Sequence, residues 1–120
     1  MPAVQYNIKI ERGTDYSLPI RWGKNNTLGV FEPYDLTGCQ ARMHVREEVD
    51  SATPVDTLTT ENGRIILDAL NGKLTLVFSN VITAAAAWGE GVYHLEIIDS
   101  LGKVRRLAKG TISIDAEVTR

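Results

Sequence analysis

The 120-residue sequence predicts an all-β chain, an antiparallel β-sandwich with one short helix. Three observations carry that prediction. Apolar residues recur at every second position through most of the chain, which is the period of strands buried on one face. Turn formers, above all Asn-Gly and Asp-Leu-Thr-Gly, punctuate these runs at short intervals. No strand is followed by the long helical pattern that a parallel βαβ fold requires.

The first strand is expected over residues 4–11, where Val4, Tyr6, Ile8 and Ile10 alternate with Gln5, Asn7, Lys9 and Glu11. After Arg12–Asp15 the pattern resumes with Tyr16, Leu18, Ile20 and Trp22 on one side. Pro19 lies on the other side and has no N–H to donate, which predicts a free or irregular strand edge there. Residues 23–29, rich in Gly and Asn, read as a loop. Asp35 and Gly38 occupy the preferred ends of a type I turn, and this turn launches a strand with Cys39, Ala41, Met43 and Val45 inward and Gln40, Arg42, His44 and Arg46 outward.

Residues 47–54 interrupt the alternation with acids, Ser and Pro, as an exposed connection does. Two hairpins are then expected, one turning at Asn62-Gly63 and one at Asn71-Gly72, because Asn and Gly tolerate positive φ. Ser79 can cap a two-turn helix carried by Ala84–Ala87 and closed by Gly89. A strand with Tyr93, Leu95 and Ile97 opposite His94 and Glu96 follows. In the last segment Ile112 and Ile114 keep one parity, while Leu107 is out of phase with Val104, which predicts a bulge near Arg105–Leu107.

About eight short strands in this order fit a single sandwich domain over residues 1–120, of immunoglobulin-like arrangement, with a barrel as the alternative. The 43% hydrophobic content supports a core and argues against disorder. The N-terminus has no basic start followed by an apolar run, so the chain is expected to stay in the compartment where it is made, and no apolar stretch is long enough to cross a membrane. With 13 basic and 15 acidic residues the net charge is −2, which predicts no nucleic-acid partner.

Chemistry is sparse. There is no Gly-x-Ser-x-Gly nucleophile motif and no phosphate loop, so neither an enzyme nor a cofactor is expected. The lone Cys39 reads as a small inward hydrophobe. His44, His94 and Glu96 would converge if their strands were neighbours, yet cross-strand pairing of Arg42 or Arg46 with Glu96 on a solvated face accounts for them better. Glu47, Glu48 and Asp50 lack the acid and glycine spacing of a calcium loop. Tyr6, Tyr16, Trp22 and Tyr93 share parity with aliphatic residues and read as core, leaving Tyr34 and Trp88 as stacking residues if the domain were a carbohydrate-binding module. The patterned residues 112–120 can either pair with the first strand or add to a neighbouring subunit.

The ordered motifs Gly13–Asp15, Asp35–Gly38, Ala41–Glu47, Gly63–Ile65, Ile82–Trp88, Gly91–Leu95 and Val118–Arg120 resemble a family of small proteins encoded among the tail genes of bacteriophages and prophages. More distantly, the chain resembles the immunoglobulin-like N-terminal domains of phage baseplate proteins. The resemblance implies a structural tail or baseplate component that works by protein–protein docking. It would be made in the bacterial host cytoplasm, built into the virion, and partnered by other tail or baseplate proteins or by further copies of itself. Candidate contact residues are Arg42, His44, Arg46, Arg105, Arg106, Val118 and Arg120.

Overall fold

A computed structural model describes residues 4–115. In chain order the strands are β1 (Val4–Gln5), β2 (Ile8–Glu11), β3 (Tyr16–Arg21), β4 (Gly23–Asn25), β5 (Phe31–Pro33), β6 (Gln40–Arg46), β7 (Asp56–Thr59), β8 (Ile65–Asp68), β9 (Lys73–Phe78), β10 (Glu90–Ile98) and β11 (Val104–Asp115). Helix α1 (Asn80–Ala85) joins β9 to β10. One sheet runs β1–β11–β10–β6–β7, with β2 also on β11, and the second runs β3–β9–β8. Pairing is antiparallel except where β1 and β2 lie parallel to β11.

The alternation in the sequence becomes the core. Ala41, Met43 and Val45 of β6, Tyr93, Leu95 and Ile97 of β10, and Leu74, Leu76 and Phe78 of β9 are each at most 2% exposed. Ile8, Ile10, Leu36, Leu58, Ile65, Ile112 and Ile114 join them, with Trp88, Leu107 and Ala108 at the margin. Each of the larger aliphatic side chains contributes about 1.5–3 kcal/mol by leaving water. The bulge in β11 lies where the phase slip requires it: Leu95 pairs with Ala108 and Glu96 with Arg106, so Leu107 is extra and turns inward beside Ala108. Pro19 sits on β3, an edge strand of its sheet, where its missing N–H costs no ladder bond.

Several sequence expectations are corrected. The first strand breaks at Tyr6-Asn7, leaving Val4 and Tyr6 exposed while Ile8 and Ile10 are buried. The break has a cause: the Tyr93 hydroxyl donates to the Tyr6 carbonyl at 2.7 Å, and the Asn7 side chain accepts from the Thr111 N–H. A Cβ on Gly110 would meet that same Tyr6 carbonyl oxygen. The C-terminal segment pairs within the domain through Asp115, Ile112 lying beside Ile8 and Ile114 beside Ile10. Val118 and Arg120 lie outside the described residues.

No hairpin forms at Asn62-Gly63. β7 pairs with β6 and β8 with β9, so this turn carries the chain from one sheet to the other, and the Asn62 side chain holds it by accepting from the Thr59 and Arg64 N–H groups. The hairpin at Asn71-Gly72 forms as expected. Residues 23–33 are a hairpin rather than a loop, because the Asn26 side chain accepts from the N–H groups of both Leu28 and Val30 and so supplies the turn. The Asp35–Gly38 turn is shifted by one residue: Cys39 N–H donates to Leu36, placing Gly38 third with φ +79°, and Asp35 caps it by accepting from Thr37.

Helix α1 starts at its predicted cap, Ser79, but ends at Ala85 rather than closing through Gly89. Its last carbonyls have another donor. Arg12 reaches across to the Ala86 carbonyl at 2.6 Å and to those of Thr83 and Trp88, while Asp15 accepts from the Asn80 N–H at 2.7 Å. The fully buried Thr83 hydroxyl donates to the Thr14 carbonyl and accepts from Gly13. The Arg12–Asp15 turn thus clamps both ends of the helix.

Among the described residues, one ion pair ties the two sheets. Arg64, entering β8, forks onto Asp56 of β7 at 2.5 and 2.9 Å, donates to the Val77 carbonyl of β9, and lies 5.2 Å over the Phe78 ring. Both side chains are 15% exposed. Asp56→Ala leaves the guanidinium without its counter-charge, and we expect urea denaturation to show a loss of about 2–4 kcal/mol. Gly110→Ala is expected to cost about 1–3 kcal/mol by forcing the Tyr6 carbonyl away, whereas Gly89→Ala, with open space around its Cβ, is expected to be nearly neutral in the same assay.

Candidate functional site

The outward face of β11, β10 and β6 collects the sequence-predicted residues. Strand alternation turns Arg42, His44 and Arg46 out from β6 and His94 and Glu96 out from β10. Register then sets the pairs: His44 lies directly opposite His94, and Arg42 opposite Glu96, with Arg42 Nε 3.2 Å from Glu96 Oε1. On the other flank Lys109 pairs with His94 and Arg106 with Glu96. A groove of 310 Å³ runs over this face, lined by Arg42, His44, Arg46, Val49, His94 and Glu96 among others. Arg46 also donates to the Ser51 carbonyl, tying the following loop to the face at 3.0 Å.

β6 and β10 are neighbours, as a convergence of His44, His94 and Glu96 would require, and the Arg42–Glu96 pairing anticipated for the same face forms. Among the described residues no group of three His, Cys, Asp or Glu is placed to hold a metal ion.

Arg105 does not join this surface. It pairs with Ile97, on the opposite parity to Arg106, and borders a separate cleft with Trp22, Tyr34, Cys39, Asp99 and Lys103. Alternation separates two arginines that are adjacent in sequence. Cys39 is half-buried there, and burial, reinforced by the Asp99 and Asp35 carboxylates, pushes its thiol pKa up, which disfavours the nucleophilic thiolate. Backbone N–H bonds from Lys103 and then Leu101 help hold the Asp99 carboxyl below its ordinary range.

The aromatic candidates are largely internal. Trp88 is 8% exposed, and Tyr34 packs edge-on against Trp22 with ring centroids 4.5 Å apart. Burial pushes the Tyr93 hydroxyl up to about 12, in keeping with its role as a donor to the Tyr6 carbonyl. Tyr6, read from sequence as core, is 46% exposed because the first strand breaks beside it.

Sequence reasoning missed Lys109 as a member of the site. It lies three residues past Arg106 and reaches the face only because the bulge at Leu107 resets the parity of β11. Neither β11 nor the β10 register can be read from spacing alone.

His94 has the clearest electrostatic signature on the face. Burial first, then the Arg106 and Lys109 charges, push its pKa below 6.5, against an opposing pull from Glu96; His44 faces it from β6. An unfolded chain then takes up this proton at a higher pH than the folded one. Stability is unaffected above the unfolded value, falls as pH drops through about 6.5 toward the folded pKa, and levels off below it. We expect thermal melts between pH 7.5 and 5.5 to show this loss, and His94→Gln to reduce it.

No protein-family model matches the chain, and no curated protein matches it. Among solved structures, a chain of the crystal structure of ICOS in complex with ICOS-L and an anti-ICOS-L VNAR domain is similar at 14% identity and TM-score 0.51, covering 94% of this chain and 55% of that one. Drosophila OTK extracellular domains 3–5 align at 16% identity and TM-score 0.38, covering 94% of this chain and 33% of that one. This chain thus spans about half of the first structure's chain and a third of the second's. The first likeness is one of fold alone, and it agrees with the arrangement of the two sheets, β3–β9–β8 and β11–β10–β6–β7, around a shared apolar core. The fold is an immunoglobulin-like β-sandwich with one short helix.

Proposed function

We propose that this chain is a structural docking module of a bacteriophage or prophage tail or baseplate, working through the outward face of β11, β10 and β6. The observation that carries the docking reading is the charge of that face. Arg42, Arg46, Arg106 and Lys109 cluster there around one carboxylate, Glu96, with Glu90 and Asp115 farther along the same face, on a chain whose net charge is −2. Such a concentration of one sign steers and registers a partner. Arginine adds a planar donor fork suited to interfaces.

The tail setting is supported by the order of motifs along the sequence. Two of those motifs are contacts of one another: the Gly13–Asp15 turn bonds to the Thr-Ala helix. In this reading the protein is made in the bacterial cytoplasm and incorporated into the virion, where its partners are other tail or baseplate proteins or further copies of itself. The rival reading, a carbohydrate-binding module, rests on Tyr34 and Trp88, and the burial of Trp88 and the packing of Tyr34 on Trp22 leave it without a broad exposed platform.

Arg42→Glu combined with Arg46→Glu is expected to exclude the protein from purified tails, read by mass spectrometry of particles, while changing folding stability by less than about 1 kcal/mol. Absence of the unaltered protein from tails, or full incorporation of the double variant, would sink the reading.

A further inference from the structure

The proposal deepens the docking reading and rests on it: the chemistry of the face identifies the partner. Three observations bear on this. First, the carboxylate among these cations is already taken, since Glu96 is paired with Arg42, while the other strand carboxylates of the face, Glu90 and Asp115, lie toward its far end. Among the described residues, none of Arg46, Arg106 and Lys109 has a carboxylate at ion-pair distance.

Second, the cations are spread out. Alternate residues of one strand face lie about 7 Å apart and neighbouring strands about 5 Å, so Arg42 and Arg46 are separated by roughly 14 Å along β6, and β6 from β11 by roughly 10 Å. One small anion cannot span such distances. A chain of carboxylates on every second residue of an extended segment repeats at the same interval of about 7 Å.

Third, the groove lies over β6 and β10, beside the β11 row, and is bounded at the Arg46 end by the loop that carries Glu47, Glu48 and Asp50, with Val49 lining it. Those acids repel an acidic occupant at that end and favour its lying along β10, between the arginines of β6 and the Arg106 and Lys109 side chains of β11. A single nucleic-acid strand also repeats its charge at intervals of this order, but the face offers no broad aromatic surface for its bases: Tyr93, the aromatic residue of the groove lining, is 2% exposed.

We infer that the groove over β10 receives an extended acidic segment of a partner protein, its Asp or Glu residues alternating and pairing with Arg46 and Arg42 on one side and Arg106 and Lys109 on the other.

The direct test is fluorescence anisotropy with a labelled ten-residue peptide alternating Glu and Thr, its Gln-for-Glu counterpart, and an oligothymidine of matched charge. The acidic peptide is expected to bind, to weaken at least tenfold with Arg106→Glu combined with Lys109→Glu, and to weaken steeply as salt rises. Circular dichroism melts confirm that the double variant is folded. Failure of the acidic peptide to bind, equal binding of the Gln peptide, or tighter binding of the oligothymidine overturns the inference.

A neutral steric variant, His94→Trp, separates this inference from the docking reading. If it excludes the protein from tails while the acidic peptide never binds, docking through the face stands and the acidic partner falls. If it and the Arg42→Glu, Arg46→Glu variant are both incorporated normally, the docking reading itself falls, and the acidic-segment inference with it.

Discussion

Two sheets of a sandwich must be held face to face, and in this chain the tie that fixes their relative position is Arg64. Antibody domains join their sheets by a disulfide, but a chain with one cysteine cannot form one internally. Apolar burial supplies most of the attraction and is nondirectional. Arg64 adds direction, bonding to Asp56 in one sheet and to the Val77 carbonyl in the other while stacking over Phe78. Its position also follows the course of the chain, because the Asn62-Gly63 turn that delivers it is one of the crossings between sheets.

A second polar assembly closes the end of the sandwich. The Arg12–Asp15 turn satisfies the termini of α1, and Thr83, the buried polar residue of that helix, is bonded to the turn in both directions. Beside these two assemblies stands the β6–β10–β11 face. Its side chains owe their positions to register rather than to loops, and surfaces of this kind hold spacing well enough to select a partner by the repeat of its charges.

The strands and their inward residues were legible in the sequence because burial on one face writes a period of two, and even the bulge at Leu107 was visible as a slip in that period. Interactions between distant segments left no such trace. The Asn62-Gly63 pair signalled a turn correctly, but nothing local states which sheet the next strand joins. Helix α1 ended early because of Arg12, about seventy residues away, and the first strand broke at Tyr6 because of Tyr93 and Thr111. For the site, Arg42, His44 and Arg46 were found from parity. Arg105 was grouped with them but lies on the opposite parity from Arg106, and Lys109 was missed because its parity depends on the bulge.

The central claim is that the cationic face meets carboxylates of a neighbouring protein. In the proposed tail setting, carbodiimide coupling of intact tails, which joins lysine amines to carboxylates in direct contact, followed by mass spectrometry of the cross-linked peptides, tests it most directly. The account predicts Lys109 joined to an Asp or Glu of another subunit. Lys109 left unmodified while Lys24 or Lys73, which lie off this face, carry the inter-subunit links would contradict it.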